Sequence, residues 1–239
     1  MDFAKVKEIA ALEGSMVKVM CETQVLWEKN IGLPKEYQEV EWIRAEANVK
    51  AYIDLGFSYD SGATINLGQW IMNDNTAYPF GATENSGALR CCFSSPYSGL
   101  IYIYGSKGSV HINIQTDYVL DVLNDIKATY KAGAFAAENK AANDKAGPAS
   151  ALVDYTMTNN LYLFAQNYNG SPRFGGIRQI SYFRYYDKND ELICDLVPCY
   201  RKSDGEIGMY DLARKIFLTN VGTGTFTKGP EISVGGGNT

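Results

Sequence analysis

NLYLFAQNYNGSP (Asn160–Pro172) leads through RQISYFRYYDKNDELICDLVPCYRKSDGEIGMYDLARKIFLTNVGTGTF (Arg178–Phe226), and this closing stretch decides the fold class. Short runs rich in Tyr, Phe, Ile and Leu alternate with Asn, Asp and Gly turns, which is the pattern of antiparallel strands. LYLFAQN (Leu161–Asn167), RQISYFRYY (Arg178–Tyr186) and ELICDLVPC (Glu191–Cys199) are the expected strands. Between the last two, Asp187-Lys188-Asn189-Asp190 supplies a tight polar turn. No catalytic motif interrupts the stretch, so it specifies a β-rich domain whose chemistry is surface recognition.

Upstream, strand candidates recur from Tyr37 onward: VKAYIDLGF (Val49–Phe57), ATINLGQWIM (Ala63–Met72), GALRCCF and GLIYIYG (Gly99–Gly105), then alternation at Val110, Ile112 and Ile114. In ATINLGQWIM, Ile65, Leu67, Gln69 and Ile71 share one face while Thr64, Asn66, Trp70 and Met72 share the other, with Gly68 expected at a bulge. Strands spaced by turns at this rate predict an all-β sandwich or barrel. KATYKAGAFAAENKAANDKAGPASA has helical propensity, yet Ile126, Ala128, Tyr130 and Phe135 flank Lys131-Ala132-Gly133 as a hairpin with a three-residue connection. Beyond Glu138 the run has little to bury and is expected to be a loop or one short helix, with residues 138–151 open between helix and strand. At the N-terminus, KVKEIA, SMVKVM and QVLWEKN read as a small hairpin unit turning at Cys21-Glu22-Thr23, with a helix over Phe3–Leu12 as the alternative. Gly32-Leu33-Pro34 then marks a boundary.

A chain of 239 residues with 46% apolar content can bury a substantial core as one domain with terminal extensions. Seventeen tyrosines against ten phenylalanines suit a half-buried sheet face or a wet contact surface. A formal charge of -5 and the lack of a Lys/Arg-rich run argue against a nucleic-acid partner. No stretch has the ~18 to 20 continuous apolar residues of a membrane-spanning helix, so no membrane insertion is expected. Charges run through MDFAKVKEIAALEG, unlike an export signal, so folding in a cytosol is expected. Cys21, Cys91, Cys92, Cys194 and Cys199 are odd in number and lack paired spacing, which favours buried free thiols over a disulfide scaffold or a zinc ribbon, with a Cys194–Cys199 link as the alternative.

His111, on an expected strand, is the only histidine, so histidine-assisted nucleophilic catalysis and imidazole metal binding both lack partners. Asp187-Lys188-Asn189-Asp190-Glu191 starts like a calcium loop but has Leu192 where an EF-hand needs Gly, and a β-turn explains it more simply. Gly222-Thr223-Gly224 and Gly235-Gly236-Gly237 precede no helix and carry no Lys-Ser/Thr, and they read as a strand turn and a flexible tail. Asn169-Gly170-Ser171 is a turn. Binding is the class that survives: aromatics stack on sugar rings and anchor protein interfaces. Trp70, Tyr78, Phe80, Tyr97, Tyr168, Phe174 and Tyr200 fall in or beside turns, most of them as ordinary packing. The loops around Asn75 to Phe80 and Tyr168 to Phe174 mix aromatics with Asn, Gly and Arg173, the composition of an adaptable contact surface. The candidate ligand-binding residues are Asn75, Tyr78, Phe80, Tyr97, Tyr168, Arg173 and Phe174.

PKEYQEVEWIRAEANVKAYIDLGF, NNLYLFAQNYNGSP and the segment from SYFRYYDKNDELICDLVPC to GTGTFTKGP together resemble the LamG-like, concanavalin A-like jelly-roll domains of tailed phages and prophages. The most specific piece is the succession of LVPC, GE, YDL and GTGTF, and the likeness spans roughly Leu33 to Pro230. The resemblance implies a two-sheet antiparallel jelly-roll sandwich over residues 33–230, an N-terminal docking hairpin over 1–32 and a flexible tail over 231–239. It implies a non-enzymatic virion component, such as a tail-tip, fibre or head-decoration protein, that contacts a host-surface glycan or protein. The expected partners are other virion proteins, with Val17, Val19, Val25, Leu26 and Trp27 docking the hairpin, and homotrimerisation is the form common among fibres. A bacterial carbohydrate-binding lectin and a jelly-roll glycoside hydrolase are the alternatives. The E-x-D-x-x-E run of some jelly-roll hydrolases is missing, and Glu36, Glu39, Glu41 and Glu46 read as a solvated face. No cofactor is expected, while a rim calcium site built from separate loops, as in related lectin-like domains, stays open.

Overall fold

The computed structural model describes residues 6–12, 15–21, 24–28, 32–71, 77–85, 89–97, 100–107, 110–149 and 154–232. The chain divides into two compact units, Met1–Lys35 and Glu36–Thr239. In the first, β1 (Val6–Leu12), β2 (Ser15–Cys21) and β3 (Gln24–Glu28) form an antiparallel three-stranded sheet in chain order. The expected hairpin is thus β2–β3, and Val6–Leu12 adds a third strand where a helix was the alternative. Val17 and Val19 fall on β2, and Val25, Leu26 and Trp27 on β3, while their side chains lie outside the described part.

The second unit begins with β4 (Tyr37–Glu39), β5 (Ile43–Ala45), β6 (Ile53–Ser58), β7 (Thr64–Trp70), β8 (Ala77–Glu84), β9 (Leu89–Tyr97), β10 (Leu100–Lys107) and β11 (Val110–Asp117). Next come β12 (Leu123–Lys131), β13 (Ala134–Asn139), β14 (Asp144–Ala149), β15 (Asn160–Leu163), β16 (Gln166–Tyr168) and β17 (Ser171–Arg173). β18 (Arg178–Tyr186), β19 (Leu192–Arg201), β20 (Ile207–Asp211), β21 (Ile216–Thr219) and β22 (Thr227–Lys228) complete it. One sheet runs β11-β10-β9-β8-β15-β6 with β16–β17 beside β8, and the other runs β14-β13-β12-β7-β18-β19-β20-β21 with β4, β5 and β22 at its margins. Among the described residues every strand pairing is antiparallel except β16 on β8. Strands remote in sequence lie side by side, β7 against β18 and β8 against β15, so the unit is a two-sheet antiparallel jelly-roll sandwich. Among the described residues no helix is long and apolar enough to cross a membrane.

Period-two alternation builds the core. Ile53, Leu55, Phe80, Cys91, Phe93, Ile101, Ile103, Leu161 and Leu163 enter it from the eight-stranded sheet. Ile65, Leu67, Ile126, Ala128, Ile180, Phe183 and Leu196 enter from the eleven-stranded sheet. The Phe80 and Phe183 rings meet across the interior at 5.0 Å, each burial contributing about 1.5–3 kcal/mol.

Polar ties reinforce the sandwich. The buried Asp211 carboxylate accepts from the backbone N–H groups of Asp195 (3.2 Å), Ala213 (2.9 Å) and Arg214 (3.1 Å), and from the Arg214 guanidinium. Arg214 Nη1 also donates to the Leu55 carbonyl at 2.7 Å, so YDLAR bolts β20 to β6 of the opposite sheet. Arg178 is buried and donates to the carbonyls of Val49 (2.8 Å), Glu46 and Gly175 (both 3.3 Å), and its burial lowers the guanidinium pKa to about 10. In GTGTF, a Cβ at Gly222 would lie 1.9 Å from the Lys50 carbonyl oxygen. Only glycine permits that approach.

Several local expectations are corrected. The β12–β13 connection is two residues, since Lys131 pairs with Ala134, and Gly133 takes φ +71° there. The run after Glu138 is not a loop or helix but β14, whose backbone pairs along β13 while Ala146 and Ala149 pack on the core. LYLFAQN is split at Phe164 (φ +67°) into β15 and β16, because the chain leaves its antiparallel partner there and resumes parallel to β8. The bulge beside Gly68 sits on β18, where the register shifts between Ile180 and Tyr182. Gly68 is instead small to admit the Tyr182 ring, which would lie 2.3 Å from a Cβ. Asp187 Oδ1 accepts from the backbone of Asn189 (2.8 Å) and Glu191 (2.9 Å), which makes the Asp187–Asp190 segment the turn expected. Glu231 bridges Val40, and Ile232 N–H donates to the Glu39 carbonyl at 3.0 Å, while residues 233–239 lie outside the described part.

Candidate functional site

On the face of the eight-stranded sheet turned away from the core, three neighbouring strands and one hairpin converge on a recess. GALRCCF explains half of its floor: Cys91 and Phe93 point inward, so Arg90, Cys92 and Ser94 of β9 point outward. GLIYIYG explains the next row, with Ile101 and Ile103 inward and Tyr102 and Tyr104 outward on β10. The register places Tyr104 opposite Cys92 and Thr83 opposite Arg90. Gly81 lies opposite Cys92, and a Cβ there would come within 2.2 Å of the Cys92 Cβ. Its φ of +133° likewise suits glycine.

The far wall is the β16–β17 hairpin, closed by Asn169-Gly170 at φ +50° and +84°. Two positive φ values across a two-residue loop make the type I′ turn that Asn-Gly favours. Asn169 N–H donates to the Thr83 carbonyl at 2.8 Å, and Asn167 Oδ1 accepts from Gly170 N–H at 2.9 Å. So anchored, the hairpin presents Gln166, Tyr168 and Arg173 to the recess, which Tyr78, Thr83, Arg90, Cys92, Ser94 and Tyr104 complete. The space, including that open to solvent, is about 350 Å³.

Positive charge dominates the lining. The Arg173 guanidinium lies 3.9 Å above the Tyr168 ring and 5.8 Å from that of Tyr78, and Arg90 lies 5.3 Å from Tyr104. Among the described residues neither arginine forms an ion pair, and the lining holds no carboxylate. Gln166 is 4% exposed, and its Nε2 donates to Thr83 Oγ1 and contacts Cys92 Sγ, both at 2.9 Å. Its Oε1 and Arg90 Nε are buried without a hydrogen-bond partner. Burial pushes the Cys92 thiol up to about 11, against the pull of Arg90 and Arg173, so the sulfur is a neutral floor rather than a nucleophile. Burial also raises the Tyr104 phenol, which stays protonated and able to donate.

Of the expected binding residues, Tyr78, Tyr168 and Arg173 meet in this recess. Phe80 does not: it lies two residues beyond Tyr78, but the register shift between Ala77 and Phe80 turns it to the core at 0% exposure, so it is a packing residue. Phe174 is half-buried outside the recess, against Tyr52 (6.0 Å) and Arg178 (5.5 Å). Asn75 and the Tyr97 side chain lie outside the described residues. Arg90, Tyr104, Thr83 and Gln166 went unread, although the alternation within GALRCCF and GLIYIYG carries the signal for the first two. Of the carboxylates read as a solvated face, Glu36, Glu41 and Glu46 are exposed and Glu39 is half-buried, far along the chain from the recess strands. Among the described residues no cluster of three or more His, Cys, Asp or Glu side chains is placed to hold a metal ion.

No protein-family model and no curated protein matches the chain. Among solved structures, it is similar to a heptameric SAP-like pentraxin from Limulus polyphemus at 11% identity and TM-score 0.49, covering 80% of this chain and 95% of that one. It is also similar to a protein from Bacteroides ovatus, described as a candidate carbohydrate-binding protein, at 14% identity and TM-score 0.51. That match covers 82% of this chain and 62% of the other, so the chain spans under two thirds of that protein. The likeness is one of fold: this chain carries a jelly-roll sandwich.

Proposed function

We propose that the chain is a non-enzymatic glycan-binding module whose ligand lies in the recess on the outer face of the eight-stranded sheet. The observation that carries this reading is the lining itself, in which tyrosine rings, hydroxyls, an amide and guanidinium groups converge on one recess. Such a surface stacks on sugar rings and hydrogen-bonds their hydroxyls. The Bacteroides ovatus protein of the same fold is described as a candidate carbohydrate binder, which agrees with this reading. Cleavage of a glycosidic bond needs two carboxyl groups flanking it, and the recess lining contributes none.

An array of immobilised glycans probed with the full chain, followed by calorimetry on the best binder, tests this directly. Tyr104→Ala and Tyr168→Ala are expected to weaken binding by about tenfold or more each, as truncated aromatic anchors do. Trp70→Ala, on the other sheet, is expected to leave it unchanged. A folded protein that binds no glycan, or binding that survives both tyrosine substitutions, refutes the reading.

The sequence resemblance extends the proposal to a virion protein, docked through residues 1–32 and directed at a host-surface glycan or protein. Release of the protein from purified phage particles only on their disassembly supports that extension, and its absence from particles refutes it.

A further inference from the structure

Resting on the glycan-binding reading above, we infer that the recess selects a sugar bearing a carboxylate, bound by Arg90 and Arg173, with Gln166 Oε1 accepting a hydroxyl of the same sugar. On a chain of net charge -5, two guanidinium groups share one recess with no carboxylate among the described residues of its lining. Cations gathered without counterions raise the local concentration of anionic ligands. The Arg173 guanidinium lies 3.9 Å from the Tyr168 ring centroid, a cation–π contact that restrains it. A guanidinium held in place in this way gives a fork whose N–H groups match a carboxylate with little further ordering.

The buried atoms without partners narrow the ligand. Arg90 Nε is a donor with nothing to donate to, and a carboxylate oxygen would satisfy it. Gln166 Oε1 is an acceptor at a side chain only 4% exposed, and it requires a donor. A bare anion such as sulfate satisfies the first and repels the second. A sugar acid satisfies both, since it carries a carboxylate and hydroxyl donors on one rigid ring. Tyr78, Tyr104 and Tyr168 flank the recess and offer rings on which a sugar ring can stack. The lining offers no carboxylate to a divalent cation, so binding is expected to persist in EDTA.

Calorimetry on the full chain in EDTA, with tetragalacturonate and 3′-sialyllactose as acidic probes, separates a hexuronic from a nonulosonic source. Galactotetraose and lactose are their neutral counterparts, and sodium sulfate is the bare-anion control. At least one acidic probe is expected to bind at least tenfold more tightly than its neutral counterpart, and more weakly as salt rises. Arg90→Gln and Arg173→Gln are each expected to cut that preference, read as the ratio of acidic to neutral affinity within the same variant, about ten- to a hundredfold. Thermal unfolding confirms that each variant is folded, and Arg90→Lys, which keeps the charge but not the fork, is expected to recover only part of the loss. Equal binding of acidic and neutral probes, or sulfate competing as well as the acidic sugars, overturns the inference while leaving the glycan-binding reading intact. No binding to any sugar on the array overturns both.

Discussion

Asp211→Ala tests the view that the two sheets are bolted together by a buried ion pair. Asp211 is 0% exposed and accepts from three backbone N–H groups and the Arg214 guanidinium, while Arg214, with its side chain 25% exposed, reaches across to the Leu55 carbonyl. Removing the carboxylate leaves a largely buried cation and three donors without an acceptor. Breaking such a pair costs about 3–5 kcal/mol, and the partial exposure of Arg214 places the expected loss near the lower end, about 3 kcal/mol. For a domain of this size that lowers the unfolding midpoint by roughly 6–12 °C. Thermal and urea unfolding of the full chain, followed by circular dichroism, measures both quantities. Asp211→Asn keeps one oxygen for the backbone donors and is expected to cost less. Asp211→Ala with Arg214→Met removes the stranded charge and is expected to be more stable than Asp211→Ala alone by about 1 kcal/mol. A midpoint drop under about 2 °C, or a double variant less stable than the single one, would refute the ion-pair reasoning.

Three other expectations follow from the same contacts. Burial raises the carboxyl of Asp211, but Arg214 and the backbone donors more than offset it, and Lys140 and Tyr182 do the same for Asp125, so both pKa values lie below the usual aspartate range. With the folded values depressed, their contribution is full above the unfolded pKa of about 3.9 and is lost as pH falls through the folded values. The midpoint should therefore drop below about pH 4, and less steeply in Asp211→Ala. Phe80→Ala is expected to cost about 3–5 kcal/mol of stability as a core truncation, measured by urea unfolding, without a specific effect on glycan binding in the folded fraction. Cys91, Cys92, Cys194 and Cys199 are buried and free, with Cys92 and Cys199 pushed up by burial to about 11 and about 12. Iodoacetamide at pH 7.5 followed by peptide mapping is expected to leave all four unmodified until the protein is unfolded.

The sequence by itself determined the strand-rich class and many strand positions, because the side-chain period is local: Ile65 and Leu67 in ATINLGQWIM, and Ile101 and Ile103 in GLIYIYG, alternate whatever they pack against. It also determined the turns at Asn169-Gly170 and Asp187–Asp190, where residue chemistry fixes backbone conformation. Position 80 marks the limit. Its aromatic neighbours made Phe80 look like part of a contact loop, but which face of β8 it occupies depends on register with β9 and β15. β14 and the break at Phe164 were illegible for a related reason, since a strand with little to bury is defined by its hydrogen-bonded partner. Tertiary structure alone decided the recess. Arg90 and Arg173 lie 83 positions apart in sequence, and only the pairing of β8 with both β9 and β16 brings two guanidinium groups and a buried amide to one place, where their charge and unmet hydrogen bonds become a binding site.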